Sequence, residues 1–141
     1  MKIASLIEYG LDNIQEAKSI LSEMIAFYSM KKRKYDGLAE LYNNVACMYF
    51  HEKDFAVAAG FLKKSFELQM QSLRKLMYTT VDDEDKKLRE KKKKMMNISM
   101  TVANIGVIKL HNNEYDHAIL ALEDSILVSH VEILCWVKNK N

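Results

Sequence analysis

The sequence predicts an all-α fold, and three observations carry that expectation. Proline is absent from the 141 residues and glycine occurs only 4 times; strands and tight turns ordinarily use more of both, whereas long helices exclude them. Hydrophobic residues make up 49% of the chain and charged residues 28%, the balance of a globular protein rather than a disordered one. Finally, one arrangement of small, aromatic and aliphatic residues occurs in "NNVACMYFHEKDFAVAAGFLKKSF" and again, more loosely, in "ANIGVIKLHNNEYDHAILALEDSI".

The length fits one domain, 1–141, with a core of its own and no need for disulfides or metal. Cys47 and Cys135 lie far apart in helical patterns, so both read as reduced thiols in a cytoplasmic setting, ciliary or cytoskeletal surroundings included. The net charge of +2 says little about partners. At the N-terminus "IASLI" is too short an apolar run for a secretory signal. Near the C-terminus "SILVSHVEILCWV" carries His130 and Glu132 and falls short of the roughly 20 residues that cross a bilayer, so no membrane span is expected.

In chain order, Ile14, Ala17, Leu21 and Met24 have the spacing of Phe55, Ala58, Leu62 and Ser65, which makes 1–32 a partial copy whose first helix survives as residues 2–9. The next copy, 39–72, places Ala46, Tyr49, Ala58, Leu62 and Ser65 around a turn at Lys53-Asp54. The last, 99–132, repeats the same gaps with Gly106, Lys109, Ala118, Leu122 and Ser125 around Asn112-Asn113, followed by a helix end at 133–141. Such an array needs two helices, with a small residue on each where they cross. Between the two copies, residues 73–98 form an elongated hairpin: a helix running from about Phe55 to Tyr78, a polar break at "TTVDDED", and a return helix from about Glu84 to Leu110. Asp82 to Asp85 suit a helix N-terminus there. The contact stripe expected is Leu68, Leu73, Leu76 and Met77 against Leu88, Met95, Ile98 and Val102.

These paired helices resemble the tetratricopeptide repeat, a helix-turn-helix unit of 34 residues with small residues at the crossing. The resemblance covers most of the chain outside residues 73–98. It departs from the family pattern at Lys109, where an aromatic is preferred, in the missing closing proline, and in copy offsets longer than 34; an unrelated antiparallel bundle is the alternative. The resemblance implies antiparallel repeats in a superhelix whose first helices line a concave, peptide-receiving groove. By the family pattern Asn43, Asn44, Cys47, Phe50 and His51 face it from one copy, and Ala103, Asn104, Val107, Leu110 and His111 from the next. Asn44 and Asn104 stand two residues before Ala46 and Gly106, and an amide offers a donor and an acceptor to a peptide backbone; satisfying neighbouring helix ends is the other reading. "YNNVA" is slightly similar to the repeats of kinesin light chains. A clamp for a chaperone's terminal carboxylate is not expected, because Glu40 and Asn43 replace the lysine and asparagine it needs.

Three further features of the chain bear on function. Cys47, His51 and His111 could approach one another, but no spacing completes a ligand set, so no metal is expected. The run 86–96 holds Lys86, Lys87, Arg89, Lys91, Lys92, Lys93 and Lys94, pointing in nearly every direction from a helix. A solvated hairpin is the favoured reading and an acidic-protein or nucleic-acid contact the alternative, with the lack of interleaved aromatics counting against base stacking. In the last helix Ile119, Ile126, Ile133, Trp136 and Val137 leave apolar surface where repeat arrays normally end in a polar cap, which predicts docking on another subunit or a second copy. No phosphate loop, nucleophile with a base, or apolar carboxylate pair is present. The expectation is therefore a non-catalytic interaction scaffold within a larger assembly. Its partner would be a protein segment or neighbouring subunit, with no cofactor and no small-molecule ligand.

Overall fold

The computed structural model describes residues 14–30, 35–80 and 82–138, with side chains described for 14–30, 37–80 and 82–129. Among the described residues there are five α-helices and no strand: α1 (Ile14–Ser29), α2 (Tyr35–His51), α3 (Phe55–Tyr78), α4 (Glu84–His111) and α5 (Tyr115–Lys138). Each packs on the next in sequence. The expected helix at residues 2–9 lies outside the described residues.

The helix ends follow from local chemistry. Asp54 caps α3 by accepting from the Val57 amide at 3.3 Å, and Asp83 caps α4 by accepting from the Lys86 amide at 2.9 Å. Glu84 and Asp85 in the first turn of α4 place negative charge at the positive end of its dipole. At 28 residues α4 is the longest of the described helices, about 42 Å end to end.

The turns after α2 and α4 share one design. Lys53 and Asn113 adopt left-handed backbone, φ 63° and 61°. The Lys53 and Asp54 amides donate to the Phe50 and Tyr49 carbonyls; sixty residues on, those of Asn113 and Glu114 donate to Leu110 and Lys109. This pair of reversed bonds satisfies carbonyls that a helix end leaves open. The identity extends into the packing. Ser65 Oγ donates to the Ala39 carbonyl and Ser125 Oγ to the Ser99 carbonyl, both at 2.8 Å, and Ala46, Ala58, Gly106 and Ala118 are all buried where the helices cross. The two hairpins, α2–α3 and α4–α5, are thus internal copies in hydrogen bonding as well as in sequence.

Two apolar clusters hold the stack together. Leu21 of α1 packs with Leu41, Val45 and Met48 of α2, with Ile14, Ala17, Met24 and Tyr28 around them. Lys18 adds an ion pair to Glu52 and lies 4.2 Å from the centre of the Tyr49 ring. The second cluster joins α2, α3 and α4 through Ala46, Ala58, Leu62 and Ile108.

The α3–α4 extension is more polar than its sequence stripe predicts. Leu76 and Ile98 are buried, and Leu68, Leu73, Leu88, Met95 and Val102 are half-buried, as that stripe requires, but Met77 is 50% exposed. Met77 lies near the end of α3, just before the chain leaves the helix. In its place polar groups link the two helices: Gln69 Nε2 donates to the Asn97 carbonyl at 3.4 Å, Lys94 Nζ to Ser72 Oγ at 2.6 Å, and Lys87 Nζ to the Thr79 carbonyl at 3.0 Å. Among the described residues no helix is long and apolar enough to cross a membrane.

Candidate functional site

Helices α2 and α4, the first helices of the two hairpins, run in the same direction because each is antiparallel to α3. Between them, with α3 as floor, lies a cleft of about 790 Å³. Gly37, Glu40, Asn43, Asn44 and Cys47 line it from α2, Gln69 from α3, and Glu90, Lys93, Lys94, Asn97, Met100, Thr101 and Asn104 from α4. Of the residues expected to face a groove, Asn43, Asn44, Cys47 and Asn104 do so.

Asn43 and Asn44 are adjacent but differ in their surroundings. Asn43 Nδ2 donates to Ser65 Oγ, to Thr101 Oγ1 at 3.0 Å and to the Ala39 carbonyl at 3.3 Å, so this amide joins α2, α3 and α4. Asn44 has no such bridge: its Nδ2 is buried without a hydrogen-bond partner. Asn104, its counterpart sixty residues on, is exposed on the opposite wall. Two acceptors are also buried and unpaired, Asn43 Oδ1 and Gln69 Oε1.

Cys47 opens onto the cleft, yet protein atoms crowd its sulfur, and this desolvation raises the thiol above its ordinary pKa. Among the lining residues Glu40 and Glu90 match Lys93 and Lys94 in number, so the formal charges balance.

Phe50 and His111 meet beyond the cleft. Phe50 lies edge-on to His111 with centroids 4.9 Å apart, and Phe55 stacks on the same imidazole at 5.3 Å. These rings form a wall between α2 and α4, so Phe50 is partly consumed by packing and His111 is engaged with rings rather than with Cys47. His51 is exposed and lies outside the lining, as do Val107 and Leu110, which are exposed further along α4. Ala103 is half-buried. Among the described residues no three His, Cys, Asp or Glu side chains converge.

The lysine-rich segment divides its charges. Lys87 and Lys94 are bonded to α3 or to the residue that ends it, Lys91 and Lys92 are half-buried, and Lys86, Arg89 and Lys93 are exposed. At the other end of the molecule Ile119, Leu120, Ile126 and Leu127 are exposed on α5. The side chains of Ile133, Trp136 and Val137 lie outside the described residues.

Sequence reasoning missed Gln69, Asn97, Met100 and Thr101 as lining residues. A signal existed for Gln69, a polar residue at the packing spacing of Leu62, Phe66, Leu73 and Leu76 on α3. No protein-family model matches the chain, and no curated protein or solved structure matches it significantly.

Proposed function

We propose that this chain is a non-catalytic protein-interaction scaffold, a tetratricopeptide-like array of about two and a half helical hairpins. Its cleft receives a polypeptide segment of a partner within a larger, cytoplasmic assembly. The observation that carries this reading is the cleft itself, which gathers amides from three helices, Asn43, Asn44, Gln69, Asn97 and Asn104, between the first helices of two internally repeated hairpins. Amides lining a depression can donate to carbonyls and accept from N–H groups of a bound chain without regard to its side chains. In the proposed mode Asn44 and Asn104 hold the segment from opposite walls, while the exposed Val107 and Leu110 receive its apolar side chains. The exposed face of α5, with Ile119 and Ile126, contributes a second contact that fixes the module against a neighbour.

The alternative of an acidic partner held by residues 86–94 has less support, because two of its lysines are engaged within the hairpin and the balanced cleft charges offer no net attraction. A crosslinking pull-down from the source cell, comparing the native chain with an Asn44→Ala, Asn104→Ala double variant, tests the proposal. Crosslinks clustered on 40–51 and 100–111 and lost in the variant are expected. Crosslinks that persist and fall on 86–96 or 126–137 overturn the cleft as the binding surface.

A further inference from the structure

Sixty residues on, α5 repeats α3, yet the two helices bury corresponding residues to different degrees. On α3 Leu62 is buried, and Phe55, Ala59 and Phe66 are half-buried. Each counterpart on α5 is more open: Leu122 is half-buried, and Tyr115, Ile119 and Ile126 are 56%, 55% and 58% exposed. The difference follows from what lies alongside. Helix α3 packs between α2 and α4, and one apolar cluster joins its Phe55, Ala59 and Leu62 to Ile105 and Ile108 of α4, with His111 stacked on Phe55. Among the described residues α5 packs extensively on α4 alone.

Tyr115, Ile119, Leu122 and Ile126 recur every three or four residues, so they form one stripe along α5. The same positions of α3 show what closes such a stripe in this fold, which is a helix. The edge of the α5 stripe is acidic. Asp116 and Glu123 stand three residues before and four after Ile119, one helical turn to either side, and both are exposed. Asp124 adds a third carboxylate, and no lysine or arginine occurs from Tyr115 to Ser129. Two copies of α5 laid face to face would therefore bring like charges together, which disfavours a second copy as the occupant.

We infer that the exposed stripe of α5 is closed by an amphipathic helix of a partner protein, lying on α5 as α4 lies on α3, with an apolar stripe of its own and lysine or arginine along its edge. This rests on the second contact proposed above for α5, names its chemistry, and does not depend on what enters the cleft.

The probes that test it are two synthetic, alanine-based helical peptides with isoleucines at the spacing of Ile98, Thr101, Ile105 and Ile108, one edged with lysine and the other with glutamate. Each is titrated against the whole chain by fluorescence anisotropy. The lysine-edged helix is expected to bind about fivefold tighter or more at low salt, with the preference reversed by Asp116→Lys, Glu123→Lys. Ile126→Glu, at a position more than half exposed, should weaken it by about tenfold or more. Binding of neither helix, equal binding of both, or binding indifferent to Ile126→Glu overturns the inference. So does a dimer of the chain alone, seen by sedimentation and dissolved by Ile126→Glu, although the α5 contact itself then stands with a second copy as its occupant. The Asn44→Ala, Asn104→Ala variant should bind the lysine-edged helix undiminished; a loss there would put the helix in the cleft, overturning this inference while the cleft reading stands.

Discussion

A Cβ built on Gly106 would stand 2.9 Å from Leu122 Cγ and 3.3 Å from the Ala118 carbonyl oxygen. At this crossing α4 and α5 approach too closely for any side chain. Gly106→Ala should gain about 1 kcal/mol of helix propensity but displace Leu122 or part the helices at about 1–3 kcal/mol. A net loss of about 1 kcal/mol in urea denaturation is expected. Gly60 is the control: nothing lies within 4 Å of its Cβ direction, so Gly60→Ala should stabilise by about 0.5–1 kcal/mol. Stabilisation by both would mean that Leu122 yields freely.

The matched bonds of Ser65 to Ala39 and Ser125 to Ser99 predict matched costs. Ser65→Ala and Ser125→Ala should each lose about 0.5–1.5 kcal/mol. Asn43→Ala should lose about 1–3 kcal/mol, because it unlinks α2 from both Ser65 and Thr101. Chemical denaturation of the three variants checks the order, and a harmless Asn43→Ala would remove this amide as a structural bridge.

Lys53 holds a left-handed backbone at φ 63°, which costs a residue with a Cβ about 1–2 kcal/mol. Lys53→Gly should recover about 0.5–1 kcal/mol. Asn113→Gly should recover less, since asparagine tolerates this conformation. Thermal melts of both variants decide the matter; equal gains would contradict the distinction.

Glu114 accepts a hydrogen bond from Lys109 Nζ at 2.7 Å; this bond outweighs the opposing desolvation and, with smaller help from the charges of Lys109 and His117 and a hydrogen bond with Asn112, holds its carboxyl below the ordinary glutamate range. A folded-state pKa below the unfolded one contributes stability above the unfolded value that is lost as pH falls through the folded value. The carboxyl is exposed, so the contribution is small. Carboxyl-carbon NMR titration should find Glu114 depressed in the native chain and returned upward in Lys109→Met. An unchanged titration in that variant would exclude the pairing in solution.

How much of this was legible beforehand differs by element. The turn at Lys53-Asp54, the break at "TTVDDED" and the cap candidates Asp82 to Asp85 announced α3 and α4 nearly residue for residue, because capping and helix termination depend on neighbours within one turn. Ser65, Ser125 and the crossing positions were legible as a repeat, because two interlocking hairpins impose the same spacing wherever they occur. The asparagines of the cleft were legible as positions but not as roles.

Roles depend on groups distant in the chain. That Asn43 is consumed by a bridge while Asn44 is left open follows from Ser65 and Thr101, which lie 22 and 58 residues away. Gln69 lines the cleft with its nitrogen held by the Asn97 carbonyl across the hairpin. Periodicity, capping and crossing residues act over short range, so the helical class, the bounds of α3 and α4 and the doubling of one hairpin could be read from the residues alone. Which amides hold helices together, and which atoms are left unpaired, depends on the tertiary structure, because an amide's free atoms are defined by the neighbours that packing brings to it.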